Sequence, residues 1–320
     1  MKTPFIKPLF ILSLLGTLLV AERPATAARV LFHDEVAGVA SVATVGEDDS
    51  LIEMAREYDL GYDELVAANP GVDPIIPRPG TLVVIPSSWI LPEVPKKEGI
   101  VIDISGMRLY YFTPPKSSWV ETFPVGIGRE GWDTPLGTYS IIEKIVGPAW
   151  YVPASIRAEK PELPEIVPPG PENPMGSHAL RLSNRVVLIH GTDRPYGIGR
   201  RVSHGCIHLY PEDIVTLFWT VKMKTPVTIV RQPVKATLFE GRVLVEVYED
   251  GEVDLEQEAT AVLKRKGLWE AVDQEKLKGA LAAHTGIPVD VTGTAPPKTD
   301  EGAGEGAPAE NGGVLEELGK

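Results

Sequence analysis

The stretch Ile189–Leu209, IHGTDRPYGIGRRVSHGCIHL, carries three of the chain's six histidines and its only cysteine. Val186-Val187-Leu188 precedes it, so His190 closes an apolar run that reads as a strand. Gly191, Gly197 and Gly199 let the chain reverse and bring Cys206 back to that strand end. A strand end is a rigid mount for a base. Thiolate is the reactive form of cysteine, and a neighbouring imidazole can take its proton. Ser203 and the turn at Gly205 can aim amide N–H groups at one point, as a tetrahedral oxyanion requires. Arg200 and Arg201 are expected to favour the thiolate and an anionic substrate. His204 competes with His190 for the role of base; hydrogen-bonding the loop is the role expected of it.

A second chemistry uses the same residues. His190, His204, Cys206 and His208 could ligate zinc, but side chains alternate along an extended H-x-C-x-H segment, and structural zinc sites usually use paired cysteines. No metal and no cofactor are expected.

Working outward, Ile100–Ile104 and Arg108–Phe112 read as strands around Ser105-Gly106. Further strands are expected at Val120–Val125, Gly137–Ile145, His178–Leu182, Arg185–His190 and Pro226–Val230. Pro211-Glu212-Asp213 opens a helix through Trp219, with proline first and acids in the first turn. Residues 147–176 hold eight prolines with Trp150, Tyr151 and Met175, which predicts a folded lid. Residues 99–231 thus form a mostly β domain with some α.

The flanks differ. Residues 43–87 read strand, helix, helix, strand, with a strong breaker at Asn69-Pro70-Gly71, and are expected to form a compact module of their own. A proline-rich linker follows over 88–98. Residues 232–291 read as a small accessory unit, a hairpin around Glu240-Gly241 followed by helices near 256–266 and 273–283. Residues 292–320 hold no aromatic and are expected to be a disordered acidic tail. Residues 1–27 have a basic start, an apolar run and Ala25-Thr26-Ala27, the pattern of a cleaved signal peptide that sends the chain to the periplasm. A formal charge of −13 without basic clusters argues against nucleic acid and anionic lipid. One cysteine leaves no intramolecular disulfide, so the core alone must hold the fold.

His190-Gly191 followed by Ser203-His204-Gly205-Cys206 resembles the signature of the L,D-transpeptidase catalytic domain. GIVIDISGMRLYYF, PVGIGREGWDTPLGTY, GPAWYVP and GPENPMG are similar to the same family. The 43–87 segment resembles the LysM peptidoglycan-binding module, and the whole resembles the periplasmic branch that carries such a module. The resemblance implies a β-sandwich-like catalytic domain plus a small βααβ LysM-like unit. It implies Cys206 as nucleophile, His190 as general base and acid, and the Gly191 carbonyl as the group that orients His190. Ser203, His204 and Gly205 would shape the oxyanion site. Arg201, His208, Trp150, Met175 and Gly176 are the candidates for contacting substrate. His208 stands where the family usually has Arg or Asn, which puts acceptor preference in question.

The activity implied is transfer from peptidoglycan stem peptides, with loss of D-alanine, to an amine on diaminopimelate or on an outer-membrane lipoprotein. Water as acceptor would make a carboxypeptidase, and a non-catalytic wall-binding protein is the other class considered. Carbapenem acylation of Cys206 is implied as well. A periplasmic thiol reductase is an expected partner, since an exposed reactive thiolate oxidises readily.

Overall fold

A computed structural model describes residues 28–33, 35–113 and 118–294. The expected signal peptide and residues 295–320 of the expected tail lie outside the described residues. Gly99–Asp103 (GIVID) and Arg108–Phe112 (RLYYF) pair antiparallel and are buried at every position. Side chains alternate across a strand, so continuous burial means that both faces of the sheet are covered. Ile100, Ile102, Leu109 and Tyr111 enter one core with Phe123, Leu180, Ile189, Ile207 and Ile214. Val101, Tyr110 and Phe112 enter a second core with Leu51, Met54, Leu65, Val83 and Trp89.

These strands sit inside an eleven-stranded sheet. From one edge it runs Ile207–His208, Leu188–His190, His178–Leu182, Gly137–Val146 and Pro226–Val230, then Gly99–Asp103. It continues through Arg108–Phe112, Trp119–Pro124, Ala28–His33, Val36–Gly38 and Ser88–Ile90. Pairing is antiparallel except that Pro226–Val230 runs parallel to Gly99–Asp103, and Ile207–His208 parallel to Leu188–His190. The protein is mostly β with some helix.

The N-terminal unit has the expected order. Ser41–Thr44 pairs antiparallel with Leu82–Ile85, and α1 (Leu51–Glu57) and α2 (Tyr62–Ala68) lie between them. Ser50 caps α1 by accepting from the Glu53 N–H. The unit was expected to be self-contained, but its apolar side is closed by Val101, Tyr110 and Phe112 of the central sheet. The expected linker also differs: Ser88–Ile90 is a strand, and Trp89 is buried with its indole N–H donating to Glu64 at 2.6 Å. Arg108 completes that junction. Its guanidinium is fully buried, lies 4.1 Å over the Trp89 ring and pairs with Glu64 at 2.7 Å.

The 147–176 segment folds as a small hairpin, Trp150–Tyr151 with Ile166–Val167, around α3 (Ala154–Glu159). Asn173 pins it by donating to the Pro148, Val167 and Pro168 carbonyls. The expected strand Arg185–His190 begins only at Leu188, because Asn184 accepts from the Val186 and Val187 N–H groups and Arg185 adopts φ +63°. After the Cys206 motif comes α4 (Pro211–Thr220).

The C-terminal unit has its own core around Ala236, Val245, Val262, Leu263 and Leu277. It contains the hairpin Val234–Phe239 with Arg242–Val247, and α5 (Leu255–Arg265) and α6 (Gln274–Ala283). Thr292, expected in the disordered tail, belongs to this unit: it bridges Val272 and its hydroxyl accepts from the Val243 N–H. Buried Lys235 joins the unit to the sheet through Asp103 at 3.3 Å and is held within its own hairpin by Glu246 at 2.9 Å. Glu246 in turn accepts from the Ile90 N–H, so the C-terminal unit and two strands of the central sheet meet at one buried charged cluster.

Candidate active site

His190 ends its strand with its Nδ1 2.6 Å from the Gly191 carbonyl oxygen. A carbonyl only accepts, so Nδ1 carries the proton and Nε2 is left bare. His190 is 3% exposed. Burial pushes its pKa down to about 4, against the opposing pull of the Gly191 and Met175 backbone. The ring is therefore neutral around pH 7. Gly176, at φ +66°, brings the end of the lid onto Gly191: a side chain there would start 2.8 Å from the Gly191 and Thr192 backbone. Met175 and Gly176, expected to contact substrate, thus pack behind His190.

Cys206 immediately precedes the strand Ile207–His208, which runs parallel beside Leu188–His190 with Ile207 opposite Ile189 and His208 opposite His190. The two isoleucines enter the core. Alternation sends Cys206, His208 and His190 to the other face together. The His190 and His208 rings lie 4.5 Å apart. Cys206 and His190 are diagonal neighbours on that face, a span of roughly 7–8 Å between backbone positions. Among the described residues no hydrogen bond joins the sulfur to the imidazole; the sulfur's hydrogen bond is with the Leu188 backbone. Burial pushes the thiol pKa up, outweighing Leu188 and the Arg181 charge. The two groups rest as neutral thiol and neutral imidazole.

The turn before Cys206 is knotted by one side chain. Ser203 Oγ donates to the Cys206 carbonyl at 2.6 Å and accepts from the Gly205 N–H at 3.1 Å. Gly205 takes φ +98°, which a side chain would oppose. His204 turns away from the sulfur. Its Nε2 lies 3.0 Å from Arg129 and 3.6 Å from Glu159, and its ring packs edge-on against Trp132 at 4.9 Å. Glu159 lies on α3, so His204 and Arg129 tie the turn to the lid.

The arginines are placed differently from expectation. Arg200 lies over the Tyr62 ring at 5.1 Å, and Arg201 is exposed on Arg201–Ser203, which pairs with Ile127–Gly128. The cation that acts on the sulfur is Arg181. His208 is held neutral by burial and by its histidine neighbours, so it offers no fixed charge to a carboxylate. Trp150 is half-buried in the lid hairpin. Sequence reasoning missed Arg181, Arg129, Glu159 and Asn173. Arg181 was findable: the hairpin register sets it opposite Leu188, one strand removed from the Cys206 segment.

A thiol and a neutral imidazole on paired strands, with a backbone carbonyl fixing the imidazole's tautomer, are the parts that a cysteine acyl transfer needs. The chain belongs to the L,D-transpeptidase family. The family model of the L,D-transpeptidase catalytic domain, YkuD, matches residues 97–229. The probable L,D-transpeptidase YcfS of Escherichia coli K12 is 40% identical over 258 residues, covering 76% of this chain and 80% of the relative. YbiS of the same strain is 40% identical over 259 residues, covering 76% and 84%. ErfK/SrfK of that strain is 38% identical over 256 residues, covering 75% and 81%.

Proposed function

We propose that Cys206 attacks the carbonyl of the third residue of a peptidoglycan stem peptide, meso-diaminopimelate, at its bond to D-alanine. The His190–Gly191 hydrogen bond of 2.6 Å carries this reading, because it fixes the tautomer that leaves Nε2 free to take a proton. Since thiol and imidazole are both neutral, the proton moves to Nε2 as the sulfur attacks. His190 then delivers it to the departing D-alanine amine, leaving a thioester on Cys206. An incoming amine loses its proton to His190, attacks the thioester and restores the thiol. Ser203 and Gly205 hold the turn in the conformation that presents the sulfur.

A lysine amine as acceptor attaches an outer-membrane lipoprotein to the wall; a diaminopimelate amine makes a 3→3 crosslink. The reading favours the lipoprotein. The N-terminal βααβ unit serves as a LysM-like glycan contact, and the leader delivers the enzyme to the periplasm. Mass spectrometry of tetrapeptide-bearing muropeptides incubated with wild type and Cys206→Ala tests the chemistry. Wild type releases D-alanine and the variant does not; equal release by both refutes the role given to Cys206.

A further inference from the structure

Asn173, near the end of the lid, is 1% exposed and uses both polar atoms of its side chain. Its Nδ2 donates toward the Pro148, Val167 and Pro168 carbonyls at 2.9, 3.2 and 3.0 Å, which flank the two strands of the lid hairpin. Its Oδ1 accepts from the Met175 N–H at 2.8 Å, and its own carbonyl accepts from the Gly176 N–H at 2.9 Å. A carboxamide can give to carbonyls through one atom and take from an N–H through the other. One buried side chain therefore holds the lid hairpin and the Met175-Gly176 backbone together.

Met175-Gly176 is the strip that lies against Gly191. A side chain on Gly191 would start 3.4 Å from the Gly176 Cα and 3.7 Å from the Met175 carbonyl oxygen. The Met175 backbone also joins that of Gly191 in favouring the proton on His190, as a carbonyl facing the ring does. Gly191 needs such a neighbour. Its carbonyl fixes the imidazole, yet a glycine has no side chain to restrict the peptide plane that presents that carbonyl. A stiffer residue does not fit, because its side chain would start 2.9 Å from Ile214. The restraint has to come from outside the residue.

We propose that Asn173 is a positioning residue for the acyl transfer: by clamping Met175 and Gly176 it locks the Gly191 peptide plane, and with it the tautomer and aim of His190. The lid then supports the base as well as covering the turn. This deepens the transpeptidase reading and rests on it. The transfer needs a bare Nε2 and a protonated Nδ1. A Gly191 carbonyl that swings away lets the ring exchange tautomers and lets water reach it. Burial is the largest cause of the low His190 pKa, so admitting water raises it.

The first measurement needs no substrate. Imidazole-nitrogen NMR of the full chain follows the His190 tautomer and titration, with its signals identified by their loss in His190→Asn. In the wild type Nδ1 keeps the proton and the ring charges only near pH 4. In Asn173→Ala the tautomers are expected to mix and the titration to move up toward the ordinary imidazole value of about 6.5. Single-turnover D-alanine release should slow by about tenfold or more at neutral pH, with the donor concentration for half-maximal rate unchanged. Its acid limb should rise with the titration. Gly176→Ala, strained at φ +66° and pressed against the Gly191 backbone, displaces the same strip without touching Asn173 and is expected to give the same shift. Ile156→Ala loosens the buried face of α3 but leaves the Asn173 bonds alone; it is expected to lower the urea midpoint and keep the wild-type titration.

A wild-type tautomer and titration in Asn173→Ala, or in Gly176→Ala should Asn173→Ala not fold, overturns the clamp. An equal shift in Ile156→Ala overturns it too, since general closure of the lid would then be the cause. A wild type that releases no D-alanine overturns the transpeptidase reading instead, and the titrations still decide whether Asn173 sets His190.

Discussion

Gly199 and Gly61 meet backbone to backbone: a side chain on Gly199 would begin 2.2 Å from the Gly61 Cα. The contact joins the His190–Cys206 loop to the start of α2. The first N–H groups of a helix have no partner within it. Here Tyr62 and Asp63 donate theirs to the Ile198 and Gly199 carbonyls. Tyr210 adds a hydrogen bond to the Leu60 carbonyl, and Arg56 pairs with Glu212. The N-terminal unit is thus part of the scaffold that shapes the loop.

Gly199→Ala is expected to destabilise the fold and slow acylation together. Gly199 sits at φ +73°, a conformation that costs a non-glycine residue about 1–3 kcal/mol before the clash with Gly61 is counted. Urea unfolding and single-turnover D-alanine release measure the two effects. A variant that unfolds at the wild-type midpoint and acylates normally would show that the contact is not needed.

Removing Glu64 should be costly because it strands a buried cation. Glu64→Ala leaves Arg108 without its carboxylate at full burial, with an expected loss of roughly 3–5 kcal/mol. Replacing both at once, as Glu64→Leu/Arg108→Met, should recover much of that loss. A double variant as unstable as Glu64→Ala alone would indicate that lost packing, rather than the stranded charge, sets the cost.

The pH profile of acylation should reflect a neutral pair. His190 charges only as pH falls through about 4, so acylation is expected to be flat from pH 7 to about 5 and to fall below that. Cys206 is pushed above the ordinary thiol range, so its alkylation by iodoacetamide should keep rising with pH beyond about 8. An alkylation plateau already reached below about pH 7 would instead signal a preformed thiolate–imidazolium pair.

Asp213 on α4 gives a prediction for stability. Burial and the neighbouring Asp59 carboxyl hold its pKa well above the usual carboxylate value. The folded state therefore binds a proton that the unfolded state has released. That contribution is full below the unfolded pKa of about 4 and is lost as pH rises through the higher folded value. Asp213→Asn should gain stability relative to wild type over the range in which pH rises above about 4, read in guanidinium titrations. A constant difference across that range would remove Asp213 as the cause.

Much of the site could be read from residue order because its parts are local. His190 closes an apolar run, Cys206 follows a glycine turn, and alternation places Ile189 and Ile207 in the core. The central strands were equally plain. What escaped was set by pairing across distance. Arg200 and Arg201 are near Cys206 in sequence, yet Arg200 lies over Tyr62 and Arg201 is exposed; the charge felt by the thiol is that of Arg181, on another strand. Trp89 follows a closing strand and precedes prolines, which reads as linker. Only the burial of Arg108 and Glu64 against its ring shows it to be a keystone.

Val101, Tyr110 and Phe112 lend one face of the central sheet to the N-terminal helices, and this gives the molecule a mechanical character. A tethered module would yield at its hinge when pulled. Here a load applied to the helices passes straight into the middle of the central sheet. The enzyme should respond to tension as a single stiff body, and give way only when that shared apolar layer shears.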